Sequence, residues 1–596
     1  MSALAEDPRP DDPYDVRRAR NAPGLLRAFN DIGVLAAADV HVAARLTAIT
    51  GETDATIALA AALAVRAPRL GHVFVDLATI RETATVESDE PVDLTALPWP
   101  AVEPWLAALA ASPLVAVGED AAESRPLRLV GTSLYLDRYW REERQVATDL
   151  RALGGDQPVD ESALAHGLAR LFDANNLQRV AAEAAVRRRF AVVAGGTGTG
   201  KTTTVARIVA LLAEQSDTTP LVALAAPTGK AAARLEEAVH EEAATLDVTS
   251  SVRETLLSLN ASTLHRLLGW RPDSHSRFRH NRSNRLPHDV VIVDETSMVS
   301  LSLMARLVEA VRPEARLVLV GDPGQLTSIE AGAVLGDIVR AGGDGVVVLE
   351  HVYRYGAGID AVAAAIRTGD GDAVMDALRA GHGDVGWIGV DIGDPASAEA
   401  LTPVRAGAVV AAEAVIAAAR EGDGATAIDA LGTFRVLCAH RRGAYGVSVW
   451  TARIEGWLAG SLERGRWYAG RPLLVTENDY GLRLYNGDTG VVVATGEGRT
   501  SAAFERQGEV VLFPPARLSA IDTVYAMTVH KSQGSQFGTA AVLLPPPTSQ
   551  VLTRELLYTA VTRARSRLIL AGTEETIRAA VARPVARASG LGQRLR

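Results

Sequence analysis

Eight residues, Gly195 to Thr202, constrain what this chain can fold into more than any other stretch: G-G-T-G-T-G-K-T. They fit the pattern G-x-x-x-x-G-K-[ST]. They sit between the apolar run Phe190 to Ala194, which reads as a buried strand, and Thr203 to Leu212, which reads as a helix. Glycines let successive backbone N–H groups curl around phosphate oxygens, and the N-terminus of the following helix adds its positive dipole. In such a loop Lys201 reaches the β and γ phosphates, and the Thr202 hydroxyl is placed for Mg²⁺. A nucleotide is expected on Gly195, Gly196, Thr197, Gly198, Thr199, Gly200, Lys201, Thr202 and Thr203, with Mg²⁺ on Thr202.

The rest of the composition bounds the surroundings. At 596 residues and 48% hydrophobic content the chain is globular, with roughly three to four domains expected from length. A single cysteine, Cys438, excludes an intramolecular disulfide and any Cys-rich metal site; it lies in an apolar run and is expected to be buried. With no signal peptide and no apolar run long enough to span a bilayer, the expected compartment is cytoplasmic and no membrane partner is expected. The net charge of −10 does not point to nucleic acid, so the distribution of charge has to be read instead. Among 61 basic residues only Lys201, Lys230 and Lys531 are lysines. Where a compact, rotatable ammonium is needed a planar guanidinium does not substitute, so these three mark candidate sites.

Taken in order, residues 1 to about 22 mix prolines and charges without periodicity and read as a disordered arm. Leu25 to about Leu114 is helical in pattern and carries no catalytic constellation, which suits a docking or structural module over residues 1–115. Gln178 lies 17 residues before the phosphate loop, where its amide can read an adenine edge, although a lone glutamine is ordinarily a solvated helix residue. Beyond the loop the strands recur. Leu221 to Ala226 runs into Pro227-Thr228-Gly229-Lys230, Asp289 to Val293 into Asp294-Glu295, and Leu317 to Val320 into Gly321-Asp322, with Gln325 close behind. Strands alternating with helices build a parallel sheet whose ligands bind at the strand carboxyl ends. Asp294 is the expected Mg²⁺-side carboxylate. Glu295 beside it is the expected general base for the attacking water.

Nine motifs then stand in a fixed order: Gln178; the phosphate loop; A-A-P-T-G-K-A-A-A-R-L; S-T-L-H-R-L-L-G at Ser262 to Gly269; V-D-E-T-S-M; G-D-P-G-Q-L-T-S-I-E-A-G at Gly321 to Gly332; V-Y-R-Y at Val352 to Tyr355; T-V-H-K-S-Q-G at Thr528 to Gly534; and Y-T-A-V-T-R-A at Tyr558 to Ala564. The set resembles that of the superfamily-one DNA helicases, and within them the RecD family, the exodeoxyribonuclease V alpha chains, from about Leu134 to Leu570. The resemblance implies an α/β fold of two RecA-like parallel-sheet motor lobes with small β insertions, preceded by a mostly helical N-terminal domain. Lobe 1 would span 116–345 and lobe 2 346–596. ATP would lie between the lobes and single-stranded DNA across their top, with Gln178 on adenine, Gln325 sensing the γ-phosphate, and Arg354 and Arg563 as arginine fingers. Either arginine is alternatively a structural ion-pair partner.

DNA contacts are expected from Thr228, Gly229, Lys230, Thr263, His265, Thr528, His530, Lys531, Ser532 and Gln533, since short polar groups hold phosphates without reading bases. His265 and His530 read equally as satisfied buried histidines. Where the family usually has Glu after S-Q-G-S, this chain has Gln536. Between Gly269 and Asp289 five arginines, three histidines and two aromatics face one acid, the composition of a nucleic-acid-facing loop in the place of a strand-separating pin; the alternative is a solvated polar loop. Gly487 to Thr523 resembles the SH3-like insertion of RecD-type helicases. The tail after Glu575 carries five arginines and no acid, and reads as DNA-proximal or as a disordered end. The residue two before each lysine is Thr199, Thr228 or Val529, none acidic, which argues against a nuclease site. The resemblance implies a 5′ to 3′ motor on single strands and duplex DNA ends, with RecB-like and RecC-like partners and a RecB-like subunit docked on residues 1–115. A stand-alone RecD-like helicase and an architectural subunit with a vestigial ATPase are the alternatives.

Overall fold

The computed structural model describes residues 18–86, 93–174, 176–215, 219–271, 277–328, 330–350, 356–463, 465–479, 481–496, 498–506 and 508–596. Most of the expected N-terminal arm, and V-Y-R-Y with Arg354, lie outside them.

Lobe 1 is built on six parallel strands in the order Val346–Leu349, Phe190–Gly195, Arg316–Gly321, Val290–Val293, Val222–Ala226 and Ala261–Thr263. The central strands are apolar and buried along nearly their whole length, because helices cover both faces of the sheet. Lobe 2 repeats the plan with five parallel strands: Val385–Ile388, Ala564–Ala571, Phe537–Leu543, Phe434–Cys438 and Ala526–Thr528. Cys438 is buried in it, and burial pushes its thiol well above the usual range. The strand Val346–Leu349, past the boundary expected at 345, completes the sheet of lobe 1.

Two smaller units are attached. The insertion is a five-stranded antiparallel sheet that begins at Pro472–Val475, earlier than 487, and runs to Ile521–Thr523. The N-terminal unit packs helices such as Ala37–Thr50 and Ala55–Arg69 against a four-stranded sheet, and its core runs from Ala19 to Leu134, past the expected limit at 115. The strands Leu127–Val130 and Ser133–Leu136 supply half of that sheet.

Two expectations are corrected here. The helix Thr402–Arg420 is long and apolar enough to cross a membrane. Its Val404, Val415, Ile416 and Ala419 are buried against lobe 2 and the insertion, as in a core helix. The C-terminal tail is not a disordered end. From Arg583 it leaves lobe 2 and crosses to lobe 1 and the N-terminal unit, where Val73 N–H donates to the Ala588 carbonyl at 2.8 Å and Ala588 N–H to His72 Nδ1 at 3.0 Å. Leu591 is fully buried in the core of lobe 1, and Arg594 pairs with Glu119 at 3.0 Å and Glu143 at 3.4 Å. The tail's arginines meet acids and carbonyls of the protein itself.

Candidate active site between the lobes

The phosphate loop closes the strand Phe190–Gly195 and opens the helix Lys201–Ala213. Gly198 and Gly200 take φ of +87° and +77°, a backbone that side-chain-bearing residues rarely adopt, and a Cβ on Gly200 would strike the Gln178 carboxamide. Asn176 caps the helix Leu177–Arg187 by accepting from Gln178 N–H at 2.8 Å, which turns Gln178 onto the loop. Its Nε2 donates to the Thr199 carbonyl at 2.9 Å, so the expected adenine reader braces the loop's backbone in this structure. Lys201 folds over the loop mouth, Nζ donating to the carbonyls of Gly195 at 2.8 Å and Gly196 at 2.7 Å. Thr203 is half-buried on the first turn of the same helix.

At the end of the neighbouring strand, Asp294 Oδ2 accepts from Thr202 Oγ1 at 3.4 Å, and Asp294 Oδ1 from Glu295 N–H at 2.7 Å. Burial and the adjacent Glu295 push the Asp294 carboxyl up to about 6, against the pull of Lys201. Glu295 holds a left-handed backbone, φ +49°, a strained conformation of the kind found where a side chain must be aimed. One hydroxyl beside one buried carboxylate that a cation would keep ionised is a donor set that fits Mg²⁺, which takes one or two protein ligands and fills its shell with phosphate and water. Among the described residues no group of three or more His, Cys, Asp or Glu could hold a metal by itself.

Lobe 2 reaches into this site. Gln325 Nε2 donates to Thr197 Oγ1 at 2.9 Å, and Arg563 Nη2 approaches the same hydroxyl at 3.5 Å from across the cleft. Arg563 is buried, with Nε on the Thr559 carbonyl at 2.9 Å and Nη1 on the Ser535 carbonyl at 3.2 Å, so its reach is fixed by lobe 2. Lys201, Glu295, Gln325 and Arg563 thus belong to one cleft. Tyr558 also comes to this point: a Cβ on Gly196 would lie 2.8 Å from its hydroxyl. Sequence reasoning quoted the Tyr558 motif without giving the ring a role.

The expected DNA contacts are more scattered. Thr228 caps the helix Gly229–Thr245 through Ala231 N–H at 3.2 Å, and Thr263 caps Leu264–Leu267 through Arg266 N–H at 3.2 Å. Gly229 packs under the Tyr485 ring of the insertion, and Lys230 Nζ donates to the Gly487 carbonyl at 3.0 Å. Burial, then the charge of Arg234, lowers the Lys230 ammonium to about 7. Lys230 therefore meets the insertion in this structure. In the second loop Thr528 Oγ1 accepts from Lys531 N–H at 3.2 Å and Ser532 Oγ donates to the Val529 carbonyl at 2.7 Å, while burial lowers His530. Gln533 does not point outward: its Nε2 donates to the Leu326 carbonyl of lobe 1 at 2.9 Å. His265 is exposed, with its ring 5.8 Å from Phe278. Gln536 is half-buried.

The arginine-rich insertion folds back on itself, with Trp270 opposite Phe278 and Asn281 opposite Asn284. Arg282 pairs with Asp149 at 2.7 Å and Arg285 bonds the Val311 carbonyl, which ties the base to lobe 1. Arg271, Arg277 and Arg279 are exposed; residues 272–276 lie outside the described residues.

Two parallel-sheet lobes, a phosphate loop in the first and an arginine from the second at its mouth, define the class: a superfamily-one helicase. The "RecBCD enzyme subunit RecD, N-terminal domain" family model matches residues 31–135, an AAA domain model 173–388, and a UvrD-like helicase C-terminal domain model 523–571. The chain belongs to the RecD family of RecBCD enzyme subunits. It is 51% identical over 581 residues to RecBCD enzyme subunit RecD of Mycolicibacterium smegmatis, covering 96% of this chain and 99% of that protein. It is 50% identical to that of Mycobacterium tuberculosis over 98% of each. Among solved structures, Pif1 helicase from Candida albicans is a distant likeness, with 14% identity, a TM-score of 0.38, and coverage of 67% of this chain and 94% of that one.

Proposed function

We propose that this chain is the 5′ to 3′ motor of a RecBCD-type assembly, an ATP-dependent DNA helicase that opens duplex ends for double-strand-break repair and recombination in the cytoplasm, with RecB-like and RecC-like partners. The reading is carried by Arg563 of lobe 2 meeting Gln325 and the phosphate loop of lobe 1 at the Thr197 hydroxyl. An arginine supplied across a cleft makes hydrolysis depend on closure, which is how turnover becomes stepping.

In this mechanism Lys201 leaves the Gly195 and Gly196 carbonyls for the β and γ phosphates of ATP, and Gln325 and Arg563 turn from Thr197 to the γ-phosphate. Glu295, aimed by its left-handed backbone, orients the attacking water and takes its proton. Thr202 and Asp294 would hold Mg²⁺, which would supply positive charge to neutralise the phosphates. Arg354 is proposed as a second finger. The segments around Thr228, Thr263 and Thr528 line the strand's path, chiefly through backbone groups, since several of their side chains are already bonded inside the protein. Nuclease chemistry is assigned to a partner, and residues 1–115 to docking on a RecB-like subunit.

The test is Lys201→Gln and Glu295→Gln. Each should lower DNA-stimulated ATP hydrolysis by at least about a hundredfold; turnover within tenfold of the parent would sink the assignment. Strand displacement on duplexes with a 5′ or a 3′ tail reads the polarity. The proteins that co-purify with the native chain separate an assembly subunit from a stand-alone motor.

A further inference from the structure

Three of the contacts that join the lobes converge on one short segment of lobe 1, Asp322 to Leu326, which carries Gln325. Tyr558 Oη donates to Asp322 Oδ2 at 3.2 Å, and the same oxygen accepts from Gln325 Nε2 at 3.1 Å, so tyrosine and glutamine are linked through one atom. The next residue is held at both backbone groups. Leu326 N–H donates to Thr559 Oγ1 at 2.9 Å, and the Leu326 carbonyl accepts from Gln533 Nε2 at 2.9 Å. Tyr558 and Thr559 lie on the helix Arg554–Val561 that leads into Arg563, while Gln533 directly follows the loop at Thr528 to Ser532. Asp322, Gln325, Tyr558 and Thr559 are all buried. Stranding a buried polar group is costly, so the joined lobes hold this segment in one place, and their separation strips three partners from it at once.

We propose that Tyr558, Thr559 and Gln533 are positioning residues that set the Gln325 carboxamide against the phosphate loop, and that Gln533 is the link through which single-stranded DNA on the 528–532 loop raises the rate of ATP hydrolysis. None of the three touches the reacting phosphates; they act through the backbone of Leu326 and the carboxylate of Asp322. DNA that shifts the 528–532 loop moves Gln533, and with it Leu326, whose neighbour is Gln325. A displacement of about 1 Å at such a residue is worth on the order of a hundredfold in rate, so a small shift suffices to couple the two sites. The inference rests on the proposed ATP site and on the assignment of the 528–532 loop to DNA.

The test uses the full-length chain and the ratio of ATP turnover with and without saturating oligo-dT. Thr559→Val and Gln533→Leu should each lower that ratio about tenfold, read at saturating oligo-dT so that a change in DNA affinity does not enter, while in Thr559→Val the KM for ATP and the Kd for oligo-dT stay within twofold of the parent. Thr559→Ser, which keeps the hydroxyl, should restore the ratio. The double variant should add less than the sum of the singles, because both act on Leu326. A ratio unchanged in both single variants, or Thr559→Ser behaving like Thr559→Val, overturns the proposal. Lys201→Gln is measured alongside. If it retains turnover, the ATP-site reading itself fails; if it is inactive while the ratio in Thr559→Val is unchanged, only the present inference fails.

Discussion

Two of the places where lobe 2 holds lobe 1, the cleft and the C-terminal tail, are built from different materials. In the cleft the contacts are polar: Arg563 to Thr197, Tyr558 to Asp322, and Thr559 and Gln533 to Leu326. At the tail the contact is a buried side chain, Leu591, flanked by Arg594 with Glu119 and Glu143 and by Arg587 on the Ser328 carbonyl at 2.9 Å. A hydrogen bond contributes about 1 kcal/mol net and is readily exchanged for another partner, whereas burying a leucine contributes about 1.5–3 kcal/mol and nothing replaces it when it leaves. A motor whose lobes open and close on each ATP needs one contact that exchanges and one that persists. In the proposed motor the cleft would supply the first and the tail the second.

The most severe way to break this comparison acts on the cleft. Lys201→Gln and Glu295→Gln remove catalysis by at least about a hundredfold and should leave the tail seated, so that the thermal unfolding midpoint stays within about 2 °C of the parent. A large drop in the midpoint would mean that the cleft carries stability as well as chemistry. Acting on the tail instead, Leu591→Ala should cost about 2–3 kcal/mol of stability, measured as a fall in the denaturant midpoint at constant slope. DNA-stimulated turnover measured well below the midpoint should fall less than threefold. An equal loss of turnover would make the tail part of the catalytic cycle.

How far each region was legible follows from the range of its interactions. The phosphate loop needs glycines at Gly198 and Gly200, a lysine at 201 and a hydroxyl at 202, all within eight residues, so local pattern specifies it. The strand ends at Asp294 and Gln325 were readable for the same reason. The tail had no such pattern. Arg587 and Arg594 look like any arginine-rich terminus until the carbonyl of Ser328 and the carboxylate of Glu143, more than 250 residues away in sequence, are seen beside them. The second contact of Gln533 was hidden similarly: its motif pointed to DNA, and only the folded chain places Leu326 against it. The N-terminal unit read as helical because its strands are three or four residues long, too short for alternation to register.

A third, smaller effect concerns the arginine-rich hairpin, which shares neither contact. Arg282 and Arg285 hold its base to lobe 1, so changing Arg271, Arg277 and Arg279 to serine leaves the fold intact and removes only exposed charge. If the hairpin meets the duplex junction, unwinding should fall about tenfold, equivalent to about 1.4 kcal/mol, with single-strand-stimulated ATPase within twofold. Equal losses would make it a general DNA clamp, and no loss in either would make it a solvated loop.

The smallest effect separates the two contacts by pH. His72 Nδ1 accepts from Ala588 N–H, so the ring is neutral where the tail meets the N-terminal unit. Burial first, then the charges of Arg587 and Arg66, lowers it to about 4 from an unfolded value near 6.5. The sign follows from linkage: between these values the unfolded chain binds a proton that the folded chain refuses, so stability is intact above about pH 6.5 and falls as the pH drops toward 4. At pH 5.5 the loss should be about 1 kcal/mol after allowance for solvent screening. His72→Gln, which cannot take up the proton, should flatten the slope of stability against pH over that interval. The tail should loosen first, seen as faster hydrogen exchange at Ala588 and Val73 with no change at the Leu326 amide. Parallel loosening at Leu326 would mean that the cleft and the tail open as one unit, and the division between an exchangeable contact and a persistent one would not hold.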